Sequence, residues 1–527
     1  MGKLHTESEW LRRVAKPMML VTLLVLGIVL RIGSLGSVVQ RTPDEQSYSW
    51  EATILADHDF TRGTEELVKI FADNPGLPAP SRLGYLEATS ETMRITGLRD
   101  ARAGSALSCI ASCLALALVA WIGLRFFDIR VALMATLLYA VSPIALTLGR
   151  RAWEDAIVEF LALASLALAG ELVISPHNSP RRFYGLCTGF AVLGAACLIS
   201  KEMALLAFLL SALLAVSAAV LKKDQQRGAL IACCALLGPS LAICWMAHVF
   251  GGFSSLAQMP IEAQRFLAHS AYSLAYESGT PLSAVHALWF ISPPTILLLI
   301  SAALLPPRLT FGRSWPAALG LALFSGALLL LFIVIPHRLN FRYVCGVFGP
   351  MALLAGTGFR GLQALILEKT PEEIQSQLVV LTIVLAVVGA GIDLLRFRTH
   401  FEIPDLQDLS IRMILSEPPT APSVAIQAKD KSANDWINLS RDEISQGHDE
   451  EGIADAKNAL ALNPNNAVAW NNISVANGGL GRWDEAIDAA QKAISLDPNL
   501  QLAKNNLAWE QEQQSKADRS PSQVQRR

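Results

Sequence analysis

Eleven apolar stretches, each long enough for a helix to cross a bilayer, run through this chain at about 17–36, 101–124, 131–148, 156–174, 183–199, 203–221, 228–250, 285–305, 316–335, 343–366 and 377–395. A hydrocarbon core takes about 20 residues at the helical rise. Backbone polar groups surrounded by lipid must be satisfied within their own segment, so stretches of this length are helices. The two at 183–199 and 203–221 are separated by the charged pair Lys201 and Glu202 and read as two short helices. Only 17% of the 527 residues are charged and 52% are hydrophobic, against about 25% charged in soluble domains. The expected fold class is therefore all-α: a polytopic transmembrane helical bundle. A net charge of −2 offers no basis for binding nucleic acid.

The distribution of charge orients the bundle. If the terminus carrying Lys3, Arg12, Arg13 and Lys16 is cytoplasmic, the loops on that side hold Arg125 and Arg130, Arg181 and Arg182, Lys222, Lys223 and Arg227, Arg308 and Arg313, and Lys369. All are basic, as the positive-inside rule requires. The opposite loops hold Asp44, Glu45, Glu154, Asp155, Lys201, Arg338 and Arg342, mixed in sign and close to helix ends. The first apolar run is longer than a leader's and reads as an anchor. All eight cysteines fall inside apolar runs, where thiols behave as small hydrophobes, so neither a disulfide framework nor a metal site is expected of them.

After residue 396 the character changes. Pro404, Pro418, Pro419 and Pro422 mark a linker over 401–431, and a polar, helix-patterned region follows. It repeats: Trp436 and Trp470, Gly447 and Gly481, and Pro464 and Pro498 are each 34 residues apart, with Ala456 and Ala459 matching Ala490 and Ala493. Small residues let two antiparallel helices approach, Gly occupies the turn, and Pro ends the second helix. These residues resemble the tetratricopeptide repeat, which implies an α-solenoid over 432–514 with two repeats at 433–500 and a capping helix at about 501–514. The polar stretch 515–527 reads as a disordered tail. With an odd number of spans this region shares the extracytoplasmic face.

That face gathers the chemistry. The loop from about 37 to 100 is the longest in the membrane part and carries Asp44-Glu45, a surface helix around Glu65 to Phe71, and Pro80-Ser81-Arg82-Leu83-Gly84-Tyr85. An ionised carboxylate at a lipid boundary is costly to desolvate, so Asp44 and Glu45 fit a wet cleft better than a packed interior. Asp155 opens a helix, where the dipole alone also favours a carboxylate. Lys201 fits a site and a solvated turn equally well. Arg338 and Arg342, four residues apart before the tenth helix, put two cations on the side where cations are disfavoured, which suggests an anionic ligand such as a lipid-linked phosphate. Carboxylates and cations on one face suit group transfer, with a carboxylate accepting the proton of an incoming hydroxyl.

The residues resemble the GT-C glycosyltransferases, in particular the branch containing protein O-mannosyltransferases and the bacterial enzymes that add aminoarabinose to lipid A. The resemblance covers about residues 10–400. It rests on Asp44-Glu45 after the first helix, Arg102 to Ser105 opening the second, Ser142-Pro143 followed by Arg150 and Asp155, the turn Ser200-Lys201-Glu202, and Arg342-Tyr343 ahead of a helix with Pro350. It implies inverting transfer of a sugar from a polyprenyl-phosphate carrier to an extracytoplasmic acceptor. Asp44 matches the family's general base, Glu45 its neighbour, and Asp155 a second acidic position that orients acceptor or sugar. Lys201 and Arg342, with Arg338 and Tyr343 beside them, fall where relatives hold the donor phosphate. Arg82 lies where many relatives carry a Pro-Pro-Leu-Tyr-like stretch, from which this sequence departs. No cofactor is implied; a divalent cation beside Asp44 remains compatible, although no His-rich ligand set accompanies it. The expected partners are the lipid-linked donor, the bilayer, and a protein partner or acceptor met by the repeats.

Two other readings stay open. In one the bundle is a non-catalytic scaffold presenting the repeats, although eleven spans exceed what anchoring needs. In the other it is a transporter, a class usually marked by mid-helix charges and broken helices in paired halves, neither of which the sequence displays.

Overall fold

The protein is described here from a computed structural model covering residues 2–33, 43–73, 82–176, 179–257, 280–334, 339–402, 409–416, 433–445, 447–498 and 500–519. The described helices form two compact units, one built from residues up to 416 and the other from residue 433 onward.

The first unit is a bundle of α1 (Gly2–Ile32), α5 (Ala101–Phe126), α6 (Ile129–Ala140), α7 (Pro143–Leu148), α8 (Asp155–Ile174), α9 (Pro180–Ser200), α10 (Glu202–Leu221), α11 (Gln225–Val249), α12 (Pro281–Ile291), α13 (Pro293–Leu304), α14 (Trp315–Val334), α15 (Phe348–Lys369) and α16 (Glu372–Arg396). Between α1 and α5, three further helices, α2 (Pro43–Asp57), α3 (Phe60–Asp73) and α4 (Leu83–Thr96), form a cap around Tyr48, Leu55, Leu67, Tyr85 and Leu86.

Among the described residues nine helices are long and apolar enough to cross a membrane, and ten if the bent pair α12 and α13 counts as one. The expectation of eleven uninterrupted spans is corrected at two places, both Ser-Pro steps. The stretch 131–148 is only the 12-residue α6 followed by α7, because Pro143 lacks the N–H needed to continue a helix and the Ser142 hydroxyl instead accepts from Ala145 N to start a new one. At Ser292-Pro293 the chain bends by 112°. The bundle thus does contain a broken helix, which the sequence did not reveal.

Close contacts rely on glycine. A Cβ on Gly238 of α11 would lie 1.8 Å from the Ala191 carbonyl oxygen of α9, and one on Gly358 of α15 would lie 2.0 Å from the Leu298 carbonyl oxygen of α13. Without a hydrophobic force between helices in lipid, such backbone approach is a main source of packing energy. At the end where α5, α8 and α15 finish, cations pair with acids: Arg182 with Glu171 at 2.6 Å, Arg360 with Asp128 at 2.8 Å and Arg308 with Glu368 at 2.9 Å. The other end, where α2, α8, α10 and the turn before α15 begin, collects a different set of charges.

Residues 409–416 fall in the stretch read as linker, yet they are tied into this unit. Phe341 N donates to Leu409 O and Ile411 N to Leu339 O, both at 2.9 Å, forming a two-residue antiparallel bridge at Asn340 and Ser410. Leu409, Ile411 and Ile414 are fully buried.

The second unit pairs α17 (Ala433–Ser445) with α18 (Asp449–Leu462) and α19 (Ala467–Gly479) with α20 (Trp483–Leu496), followed by α21 (Gln501–Arg519). Ala456, Ala459, Ala490 and Ala493 are fully buried at the helix crossings. Gly447 and Gly481 turn the chain with φ of 80° and 71°, a region that only glycine enters freely. Asn472 of α19 donates to Ile437 O at 3.1 Å, locking one pair to the next.

Replacing Gly238 with leucine should lower the stability of the detergent-solubilised protein by about 1–3 kcal/mol, the usual cost of overpacking. Gly320→Leu, where an added Cβ meets nothing within 4 Å, should melt as the wild type does in the same thermal scan.

Candidate active site

Five separate pieces of chain deliver charged side chains to one end of the bundle. Asp44 sits in the first turn of α2. Arg82 is the residue before α4, and Glu154 and Asp155 open α8, where the helix dipole favours negative charge. Lys201 lies between α9 and α10 with φ −169° and ψ 146°, an extended residue that ends one helix and starts the next. Arg342 stands on a short 3₁₀ turn, Phe341–Val347, whose start is fixed by the Asn340 side chain accepting from Arg342 N at 3.1 Å.

Three cations and three carboxylates interlock there. Lys201 Nζ binds Asp155 Oδ1 at 2.5 Å and Glu154 Oε1 at 2.9 Å. Arg342 Nε binds Asp155 Oδ2 at 2.7 Å, and its Nη1 binds Asp44 Oδ2 at 2.8 Å. Arg82 Nε lies 3.2 Å from Glu154 Oε1, which also accepts from the Tyr48 hydroxyl at 3.3 Å, and Arg82 Nη1 donates to that hydroxyl in turn. Glu154 and Asp155 are fully buried. The Asp44 side chain is 49% exposed, so one carboxylate of the cluster opens to solvent.

The electrostatics follow from this arrangement. Burial pushes the Glu154 carboxyl up, but Arg82, Lys201 and Arg342 together outweigh it and hold the group well below the usual carboxylate range. Burial lowers Arg82, and Glu154, Glu202 and Asp44 more than restore it. Aromatic rings line the same space: the Arg342 guanidinium lies 4.4 Å from the centre of the Trp153 ring, and Lys201 Nζ lies 5.9 Å from that of Tyr343.

The structure thus brings together Asp44, Asp155, Arg82, Lys201, Arg342 and Tyr343 of the residues singled out from the sequence. Arg338 lies outside the described residues. Glu45 requires a correction. It is fully buried and turned away from Asp44: its two oxygens take Arg151 Nε at 2.7 Å and Nη2 at 2.9 Å, and Oε1 also accepts from Ala152 N at 3.2 Å. A carboxylate so saturated fastens α2 to the segment ahead of α8 and is not placed to act on a substrate. Sequence reasoning overlooked Glu154 as the hub, Tyr48 as its hydroxyl donor, and Trp153. The available signal was the doublet Glu154-Asp155 directly ahead of an apolar helix. Among the described residues no group of three or more His, Cys, Asp or Glu side chains is arranged to hold a metal ion.

Comparison with known proteins places this architecture. ArnT from Cupriavidus metallidurans matches in its apo state with a TM-score of 0.50 at 14% identity, covering 90% of this chain and 80% of that one. The same protein bound to undecaprenyl phosphate gives 0.51 at 13% identity, covering 89% and 79%. The oligosaccharyltransferase of Archaeoglobus fulgidus in its apo form gives 0.50 at 13% identity, covering 84% of this chain and 60% of that one. The membrane unit has the GT-C fold. The tetratricopeptide repeat family matches residues 467–500, the second helix pair and its closing turn, within the second unit. The search of curated protein sequences found no match.

Within this GT-C unit the two acids of the 44–45 doublet should part company on mutation. Glu45→Ala removes one partner of a buried ion pair and should cost about 3–5 kcal/mol. Asp44→Ala removes a half-exposed partner from an arginine that keeps Asp155, and should cost no more than about 1 kcal/mol. Thermal unfolding of the two variants in detergent distinguishes them.

Proposed function

We propose that this protein is a membrane glycosyltransferase that moves a sugar from a polyprenyl-phosphate carrier to a hydroxyl-bearing acceptor, with inversion at the anomeric carbon. The observation that carries the reading is the cluster of Arg82, Lys201 and Arg342 around buried acids, with Asp44 alone opening to solvent. A phosphate arriving at this end of the bundle finds guanidinium and ammonium donors, and Arg342 can present paired N–H groups to it. The fold it shares with ArnT, which has been crystallised with undecaprenyl phosphate, supports the same class of donor.

Phosphate binding has a consequence for Asp44. Arg342 is its ion-pair partner, and an anion with greater charge competes for the same Nη groups. Once displaced, the Asp44 oxygens are available to accept the proton of the acceptor hydroxyl. The acceptor oxygen then bonds to the anomeric carbon, the bond from that carbon to the phosphate oxygen breaks, and the polyprenyl phosphate leaves with the electron pair. Lys201 and Arg342 compensate the charge that gathers on the leaving phosphate. Asp155 takes no proton; it holds Lys201 and Arg342 at their positions.

The charge pattern of the loops supports an extracytoplasmic position for this end of the bundle. In this reading the repeats belong to the same side and contact a protein partner or the acceptor itself. Nine or ten membrane helices among the described residues, with a charged cluster at one end, favour an enzyme over a scaffold.

Membranes containing the protein, incubated with a panel of radiolabelled polyprenyl-phosphate sugars, should transfer label from one of them to an acceptor. Asp44→Asn should insert and fold normally and lose about 10²–10⁴-fold in transfer rate, the usual contribution of a general base. An Asp44→Asn protein with wild-type transfer would remove the assignment.

A further inference from the structure

Glu51 is a fourth acid on the same face of α2, and among the described residues no cation pairs with it. It follows Asp44 by seven residues and Tyr48 by three on α2, spacings that share one helix face. It is 7% exposed, and no hydrogen bond or ion pair holds its carboxyl among the described residues. The other acids are matched: Glu154 by Arg82 and Lys201, Asp155 by Lys201 and Arg342, and Asp44 by Arg342. Each cation of the cluster faces one or more of these acids, and among the described residues none of the three pairs with Glu51.

Among the described residues the surrounding elements offer no relief. Asp44 from α2 and Glu154 from the start of α8 are the charges that act on Glu51, and both are negative. From α4, Arg82 is committed to Glu154 and Tyr48, the Tyr85 phenol is neutral and buried, and Glu87 is tied to Arg94. On α3 the charged residues Arg62, Glu65, Glu66 and Lys69 are exposed, Arg62 pairing with Asp59, and Arg102 of α5 pairs with Asp100 at the surface. A buried carboxylate in such company is far more costly than a neutral carboxylic acid. Burial first, then the charges of Asp44 and Glu154, push the Glu51 carboxyl up to about 8. A protonated carboxyl differs from its ionised form in one decisive respect: it can donate a hydrogen bond.

We propose that Glu51 is a sugar-binding residue of this site, a neutral acid whose O–H donates to an uncharged oxygen of the transferred sugar. The inference rests on the transferase reading above and extends it to the part of the donor beyond the phosphate. A phosphate oxygen would bring a further negative charge beside Asp44 and Glu154, whereas a sugar hydroxyl or ring oxygen brings none. The cations therefore take the phosphate and Glu51 takes the sugar.

The test compares Glu51→Gln with Glu51→Ala in the transfer assay and by infrared difference spectroscopy. A carboxamide donates as a neutral acid does, so Glu51→Gln should stay close to wild type. Glu51→Ala should raise KM for the donor about tenfold, with kcat changed less, as expected for loss of one neutral hydrogen bond to substrate. Wild-type transfer should fall as pH rises through about 8, and Glu51→Gln should lose that fall. Independently of turnover, the wild type should show a protonated-carboxyl band at pH 6 that is absent from Glu51→Gln. Transfer by the wild type with Glu51→Gln as impaired as Glu51→Ala, or with no such band, overturns this assignment alone. A folded wild type that transfers no sugar from any donor overturns the transferase reading and this inference with it.

Discussion

Opposite charges bound to one another where water scarcely reaches hold the working end of this bundle together. Lys201, Arg342 and Arg82 come from parts of the chain far apart in sequence, and so do Asp44 and the pair Glu154 and Asp155. Each would be expensive to bury alone. The buried members Lys201, Arg342, Glu154 and Asp155 become tolerable because partners lie within hydrogen-bond reach, so these four are poorly divisible, whereas half-exposed Asp44 is the member that can be removed at little cost. The helices that carry these residues are thereby fixed in register at one end, while small residues such as Gly238 and Gly358 fix the interior contacts.

Lipid makes the helices of such a chain easy to read. A segment that must satisfy its own backbone can only be helical, so the position of nearly every membrane helix follows from apolar length. The breaks do not follow. Ser142-Pro143 and Ser292-Pro293 sit inside apolar stretches whose average hydropathy conceals them, and proline is tolerated in a membrane helix as a kink or as a break depending on the neighbours that take up the freed groups. The helix pairs of the second unit were legible for a different reason. Glycine in the turn, alanine at the crossing and proline after the second helix each answer a local geometric demand, and those demands recur every 34 residues.

The site was legible in its charges and less so in its directions. Asp44, Asp155, Lys201 and Arg342 stood out because charge at a membrane boundary needs a reason. Neighbouring residues on a helix point about 100° apart, however. The doublet 44–45 therefore sends one carboxylate to the cluster and the other to Arg151. The doublet 154–155 escapes that division: Glu154 stands just before the helix, Asp155 begins it, and both reach Lys201. Glu51 gave no sign in the sequence, since only the three-dimensional pairing reveals that the described cations of the cluster pair with other acids.

The bridge between Asn340 and Ser410 changes where the membrane unit ends. Arg342 is presented by a short turn whose preceding residues, Leu339 and Phe341, take their backbone partners from Ile411 and Leu409, well beyond the final apolar helix. A chain cut at residue 402 would keep every membrane helix among the described residues and still lose the bridge that steadies the turn carrying this arginine. The membrane unit accordingly extends through residue 416, and any division of the chain into a membrane half and a repeat half has to be made after that point.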